Sequence, residues 1–263
     1  MSLTYTLEDV YKSEAQEKFN VISTFAGGGG SSTGYRLAGG KILAVNEFVE
    51  EARNTYSANY PSTPILPGDI KELTGQDFLD LVGLQKGELD LLDGSPPCSA
   101  FSVAGSMCRS EGATHSDGWG KTKTYSDGKK VENIEDLFFE FIRVAKDIQP
   151  KVIVAENVKG LTIGEAKSYY HKITNQLEAI GYYVSSKVMN SCRHGVGQNR
   201  QRVIFICIRE DIAEKVGLTF MNIHGLFPEE SSHKTTFGDV IEGVVNDDQE
   251  IKMITDKWLA SNL

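Results

Sequence analysis

Several short segments of this 263-residue chain bring together residue types that do chemistry. Phe25-Ala26-Gly27-Gly28-Gly29-Gly30 ends an apolar run and opens a helix-like stretch, a setting in which glycines let a ligand approach the backbone. Two common versions of such a loop fail on spacing. A dinucleotide fingerprint needs glycine where Ser32 or Thr33 stands, and a phosphate loop needs lysine where Tyr35 stands. The loop holds no Lys or Arg to meet a pyrophosphate. Glu47 follows Gly27 by 20 residues, at the end of a second apolar run, where a carboxylate can hold the two hydroxyls of a ribose. An acid for the ribose without cations for phosphates points to an adenosyl ligand lacking phosphates, S-adenosylmethionine; a plain flexible turn is the alternative. Asp69-Ile70, after a third run, offers an acceptor for an adenine amino group and an apolar surface for the ring, or simply a turn after Pro67-Gly68.

Gly94-Ser95-Pro96-Pro97-Cys98-Ser99 closes a fourth run. The prolines stiffen the turn, so a thiol there is held rather than mobile, as a covalent nucleophile should be. The alternative is a small buried apolar residue. Glu156-Asn157-Val158 ends a fifth run, and Glu156 at that edge suits proton donation, or else a helix cap or an ion pair. Gln198-Asn199-Arg200-Gln201-Arg202 opens the last run. Strand alternation there puts Gln198, Arg200 and Arg202 on one face, an array suited to an anionic or carbonyl-rich ligand; a solvated strand end is the alternative.

The elements that must position these groups follow from the apolar pattern. Asn20–Phe25, Lys41–Val45, Ile65–Leu66, Leu89–Leu92, Val152–Ala155, Tyr182–Val188 and Val203–Ile208 read as strands, and unbroken apolar runs imply burial on both faces, as in parallel sheets. Ile134, Leu137, Phe138, Phe141, Ile142, Ala145 and Ile148 form a helical stripe, with Asn133 as the expected N-cap and Pro150 as the stop. Ala166, Tyr170, Ile173, Leu177 and Ile180 form another, closed by Gly181. Strands alternating with helices predict an α/β fold: a doubly wound, mostly parallel seven-stranded sheet with helices on both faces.

The expected organisation is an N-terminal extension over 1–18, a catalytic and cofactor-binding domain over 19–209, and an acidic connection over 210–263. Inside the middle part, Ser99 to Val131 is a 33-residue stretch with few apolar anchors, expected to be a functional lid. Its Lys121, Lys123, Lys129 and Lys130 are candidate phosphate contacts.

Composition sets the outer bounds. Apolar residues at 40% and charged residues at 24% are ordinary globular usage. With 27 basic and 36 acidic residues the formal charge is −9, which argues against broad nonspecific nucleic-acid binding while leaving room for a local basic groove. No apolar run approaches the ~20 residues of a membrane span, and no signal peptide is evident. Cys98, Cys108, Cys192 and Cys207 show neither zinc-like spacing nor a disulfide framework, so no metal is expected and a reducing, cytoplasmic compartment is.

Taken in order, Phe25–Gly30, Glu47, Asp69-Ile70, Pro96–Ser102, Glu156–Val158 and Gln198–Arg202 closely resemble the DNA cytosine-5 methyltransferases over about residues 20–209. The resemblance implies a Rossmann-like, S-adenosylmethionine-dependent fold of bacterial or phage origin, with duplex DNA as partner and a place in restriction-modification. S-adenosylhomocysteine is the implied product. Phe25, Gly27 and Gly29 match the family's cofactor loop, Glu47 its ribose-binding acid, Phe48 its adenine-stacking aromatic, and Asp69 and Ile70 its adenine contacts. Cys98, after Pro97, matches the nucleophile. Glu156 matches the acid that engages cytosine N3 and its amino group, and Arg200 and Arg202 match arginines that hold the pocket and the pyrimidine carbonyl. The implied reaction transfers a methyl group to C5 of a flipped-out cytosine through a covalent cysteine adduct.

Two departures stand out. Ser99 replaces the glutamine common after the nucleophile, and residues 210–263 lack the Gly-Asn-Ser-Val motif with which the family usually completes its cofactor pocket. The expectation is therefore a chain that stops at the entrance to a target-recognition domain, with a second chain as the expected source of that domain if the enzyme is split. The competing readings are a tRNA cytosine-5 methyltransferase and a non-catalytic fragment that binds cofactor or partner only.

Overall fold

All seven apolar runs become strands of one sheet. They are β1 (Phe19–Thr24), β2 (Gly40–Glu47), β3 (Ile65–Pro67), β4 (Leu91–Gly94), β7 (Val152–Val158), β8 (Tyr182–Asn190) and β9 (Gln201–Arg209); between β4 and β7 a two-stranded antiparallel pair forms from β5 (Lys123–Thr124) and β6 (Lys130–Val131). The structure is a computed structural model that describes residues 5–97, 123–124, 130–131, 136–164, 166–219 and 221–241. Cys98, Cys108, Lys121, Lys129, most of the expected lid and the acidic residues from Glu242 onward lie outside the described residues, as does Asn133.

The strand order is β3-β2-β1-β4-β7-β9-β8. The chain winds outward from β1 through β2 to β3, then returns to start again beside β1 with β4. Parallel pairing joins β3, β2, β1, β4 and β7, so the carboxyl ends of these strands share one edge, and the reversal point falls between β1 and β4. The sheet is mixed rather than wholly parallel, because β9 runs antiparallel to β7, with Val158 opposite Arg202 and Val152 opposite Ile208.

Period-two alternation gives each strand two burial partners. On β1, Ile22 packs with the larger core and its neighbour Val21 with a second one. The larger core is closed by α4 (Gly75–Val82), α5 (Leu137–Ile148) and α6 (Ala166–Ala179), through Phe78, Leu79, Phe138, Phe141, Ile173 and Leu177. The second is closed by α1 (Leu7–Glu14), α2 (Gly30–Leu37) and α3 (Glu50–Asn59), through Val10 and Tyr56. A third, beside β9, joins Ile208 to Ala213 of α7 (Glu210–Lys215).

The local signals explain most boundaries. Thr6 and Asp9 form a capping box at the start of α1, as Thr74 and Asp77 do for α4. The position before α5 is Asp136 rather than Asn133, and it makes no side-chain cap. Gln149, with φ of 53°, ends α5 just before Pro150.

The chain divides into two compact units. The larger comprises Tyr5–Val188 and Arg202–Pro228; the smaller includes Met189–Gln201 and residues from Glu229 onward. Within the smaller unit, Arg193 donates to the carbonyls of Ser231 and Ser232, and Thr235 N donates to Cys192 O at 2.8 Å. No helix among the described residues is long and apolar enough to cross a membrane.

Candidate active site

Four of the parallel strands end at a cavity of about 290 Å³. Phe25 and Gly27 reach it from the end of β1, Glu47 and Phe48 from β2, Asp69 and Ile70 from beyond β3, and Pro97 from beyond β4. Every cofactor-binding residue expected from sequence therefore lines one cavity, except Gly29. Leu137, the first residue of α5, adds an apolar wall.

Glu47 is 8% exposed. Its Oε2 accepts from Gly27 N at 2.8 Å and its Oε1 from Val49 N at 2.8 Å, so the carboxylate is fixed by the loops on either side of it. Each oxygen keeps a second lone pair. A vicinal diol can use both without displacing either backbone donor. Among the described residues that line the cavity none is Lys or Arg. The lining suits a neutral or cationic nucleoside and disfavours a phosphorylated one.

The glycine loop is held from behind. Phe25 takes a φ of 53°, a left-handed conformation uncommon for a bulky side chain, and Ser95 Oγ donates to its carbonyl at 3.2 Å. Gly29, with φ of 97°, caps α2; a Cβ there would lie 3.0 Å from Tyr60 and 3.2 Å from Tyr56. Gly29 thus supports the loop by permitting close packing on α3, rather than by facing the cavity. Arg36, 1% exposed, stacks 3.7 Å over the Tyr60 ring, donates to Thr63 Oγ1 at 2.7 Å and pairs with Glu14 at 3.0 Å. This ties α2 to both α1 and the chain beyond α3.

A buried carboxylate, Asp93 on β4, lies at the same strand ends. It accepts from Ser23 Oγ at 2.7 Å, Ser31 Oγ at 2.9 Å and Tyr35 Oη at 3.0 Å, joining β1, β4 and the start of α2. Burial raises its pKa above the ordinary value against these three hydrogen bonds, and the charge of Glu156 adds to the rise. Burial and Asp93 together push the Tyr35 hydroxyl well up.

Glu156 lies near the end of β7, and Arg202 is the second residue of β9, the strand paired with it. Because β9 is antiparallel, its start falls at the same edge as the end of β7. Arg202 Nε meets Glu156 Oε1 at 2.6 Å in a half-exposed ion pair. Next to it, Asn157 Nδ2 donates to Pro96 O at 3.3 Å, so the turn that precedes Cys98 is held by β7.

Arg200 is placed differently from its expectation. β9 starts only at Gln201, so Gln198 and Arg200 do not alternate with Arg202 along a strand. Residues 191–193 form a 3-10 turn instead, Gly195 adopts a φ of 82°, and Arg200 N bonds locally to Gln198 O at 3.1 Å. Glycines at 195 and 197 favour this turn over extension. Arg200 belongs to the smaller unit and Arg202 to the larger.

Asp93, Asn157, Tyr56 and Leu137 take part in the site without having been singled out. Asp93 carried a signal: a carboxylate directly after an apolar strand run, at a sheet edge, becomes a buried polar group in need of partners once the strand extends through it.

Residues 19–262 match the family model of the C-5 cytosine-specific DNA methylases. The chain belongs to this family. Relatives among these methylases include the type II methyltransferase M.NgoPII of Neisseria gonorrhoeae, 31% identical over 225 residues, where the match covers 84% of this chain and 55% of the relative. The type II methyltransferase M1.HphI of Haemophilus parahaemolyticus is 34% identical over 221 residues, covering 84% and 51%. The chain thus spans about half the length of these curated relatives. A crystal structure of a protein described as a DNA modification methyltransferase, encoded within an Escherichia coli prophage, superposes with a TM-score of 0.64 over 88% of this chain and 56% of that one. At 22% identity it supports the methyltransferase fold alone.

Proposed function

We propose that this C-5 cytosine methylase transfers a methyl group from S-adenosylmethionine to C5 of a flipped-out cytosine in duplex DNA, through a covalent adduct on Cys98. The observation that carries this reading is the Glu156–Arg202 pair on the same sheet edge, and in the same compact unit, as a cavity lined by Pro97 whose described lining holds no Lys or Arg.

Each residue then has a task. Glu47 holds the ribose hydroxyls, Phe48 and Ile70 enclose the adenine, and Asp69 accepts from its amino group. When bound there, S-adenosylmethionine supplies an electrophilic methyl group and leaves as S-adenosylhomocysteine. Cytosine C5 is too weak a nucleophile to take that methyl unaided. The Cys98 thiolate forms a bond to C6, the displaced electron pair moves toward C5, and N3 takes a proton from Glu156. Arg202 fixes the Glu156 carboxyl group and holds the pyrimidine carbonyl. With the methyl group on C5, a base removes the C5 proton, the S–C6 bond breaks, Cys98 returns as thiolate, and N3 gives its proton back to Glu156. None of these atoms is reachable in a stacked base, so the target leaves the duplex. Reading of the target sequence is assigned to residues outside those described here, in this chain or a second one. Such a protein acts beside its DNA in the bacterial cytoplasm, as part of restriction-modification.

Duplex DNA carrying 5-fluorocytosine, mixed with the chain and S-adenosylmethionine, tests the reading, because fluorine cannot leave C5 as a proton does. A covalent protein–DNA adduct is expected with the native chain and none with Cys98→Ser. An adduct that survives Cys98→Ser, or methyl transfer to tRNA in preference to duplex DNA, overturns it.

A further inference from the structure

The segment that carries Asp69 and Ile70 has few anchors of its own. It connects β3 to α4, and its internal polar contacts are local: Lys71 N and Glu72 N both bond back to Asp69. Asn46 of β2 holds its start, donating to Gly68 O at 3.2 Å, and the contacts that hold the carbonyls of Ile70 and Leu73 come from α5, about 70 residues later in the chain. Arg143 Nη2 donates to Ile70 O at 2.7 Å and to Leu73 O at 2.8 Å. Its Nε donates to Glu140 Oε2 at 2.7 Å, which fixes the plane of the guanidinium from its own helix. One turn on, Asp147 Oδ2 accepts from Gly75 N at 3.2 Å, and a Cβ at Gly75 would lie 2.3 Å from Asp147 Cβ. Only glycine allows α4 to begin so close to α5.

Both carbonyls, three residues apart, are met by one nitrogen whose N–H bonds lie in the guanidinium plane, and Glu140 fixes that plane, so the side chain sets the shape of the turn between them. Ile70 is buried, so the turn cannot shift without moving a cavity wall. We infer that Arg143 is a positioning residue for the nucleoside end of the cofactor site: it holds the Asp69-Ile70 turn in its binding shape. The inference rests on the cofactor reading above. It adds that the affinity for the adenosine part depends on a side chain outside the cavity lining.

A merely structural staple between α4 and α5 would lower thermal stability and leave affinity unchanged in the folded protein. A positioning role lowers affinity by the fraction of time the turn spends out of shape. Calorimetric titration with S-adenosylhomocysteine and with methylthioadenosine, which lacks the amino-acid part, separates these outcomes when carried out well below the melting temperature. For Arg143→Met we expect both ligands to bind about tenfold or more weakly, by equal factors. Arg143→Lys keeps the charge and N–H donors on one rotating nitrogen but not the fixed guanidinium plane, and should recover part of the loss; it also serves if Arg143→Met does not fold. Asp147→Ala, which removes the contact to α4 and a long 4.0 Å ion pair to Arg143 Nη1 but leaves both carbonyl contacts of Arg143 and its bond to Glu140, should lower the melting temperature with affinity unchanged. If the native chain binds neither ligand, the cofactor reading itself fails. If the native chain binds and the Arg143 variants bind equally well, or lose affinity for S-adenosylhomocysteine alone, the positioning role is wrong.

Discussion

Glu47 and Asp93 are both buried carboxylates near the ends of strands on either side of β1, yet the structure uses them in opposite ways. Glu47 takes two backbone N–H donors and keeps lone pairs facing the cavity. Glu47→Ala should remove the ribose acceptor and leave two amides without their partner. With charge-assisted hydrogen bonds contributing about 1.5–3 kcal/mol each, S-adenosylhomocysteine should bind at least tenfold more weakly by titration calorimetry. Unchanged affinity would count against the whole cofactor assignment. Asp93 faces inward, and three hydroxyl donors only partly offset its loss of water. Its pKa is raised on folding, so the native state holds its proton more firmly than the unfolded chain does. The stability this contributes is complete below the ordinary aspartate value and is lost as pH rises through the raised one. Asp93→Asn cannot titrate. The melting temperature of the native chain relative to Asp93→Asn should therefore fall as pH is raised from about 4 toward 7. Parallel melting curves across that range would show that Asp93 keeps an ordinary affinity for its proton.

At the scale of elements, α2 is anchored by a buried cation. Arg36 has Glu14 of α1 as its counter-charge, Thr63 as a hydrogen-bond acceptor and the Tyr60 ring as a stacking surface. Removing one member of a buried pair leaves the other uncompensated, at a cost of about 3–5 kcal/mol, whereas an apolar residue of similar volume is often tolerated. Glu14→Ala should thus destabilise the fold more than Arg36→Met does, as measured by chemical denaturation; the reverse order would mean that stacking and packing dominate over charge. Which elements could be read in advance follows from the same distinction between local and distant partners. The seven strands were legible because each carries a short apolar run, with β1, β2 and β4 buried on both faces and the edge strands β3 and β8 less so, and the groups directly after the parallel runs converge because those strands share a carboxyl edge. The direction of β9 was not legible, since an apolar run looks the same in either sense. Arg202 reaches Glu156 only because of that direction. Arg200 falls outside the strand alternation because β9 begins only at Gln201, after a bend at Gly197-Gln198. The roles of Asn157 and Arg143 depend on contacts with carbonyls 61 to 73 residues away, which no local pattern records.

For the molecule as a whole, every residue lining the cavity belongs to the larger compact unit, so ligand binding should stabilise that unit by mass action. At a concentration a hundredfold above its dissociation constant, S-adenosylhomocysteine should add about 2.7 kcal/mol, visible as an upward shift of the thermal unfolding transition. Adenosine diphosphate should give little shift, because its phosphates would face Glu47 and Asp69 with no Lys or Arg among the described residues of the lining. An equal shift from the diphosphate would mean that the site selects for adenosine alone. The antiparallel pairing of β7 with β9 has a consequence for how such a chain tolerates insertions and deletions. Glu156 and Arg202 meet through a ladder of seven paired residues, not through the length of chain between them. Residues added to the connections between β7 and β9 leave that ladder in register, and their entropic cost grows only slowly with length. A single residue lost from Val203–Ile208 instead turns Arg202 to the opposite face of the sheet. Length variation among functional homologues should accordingly crowd into the connections and stop abruptly at Arg202.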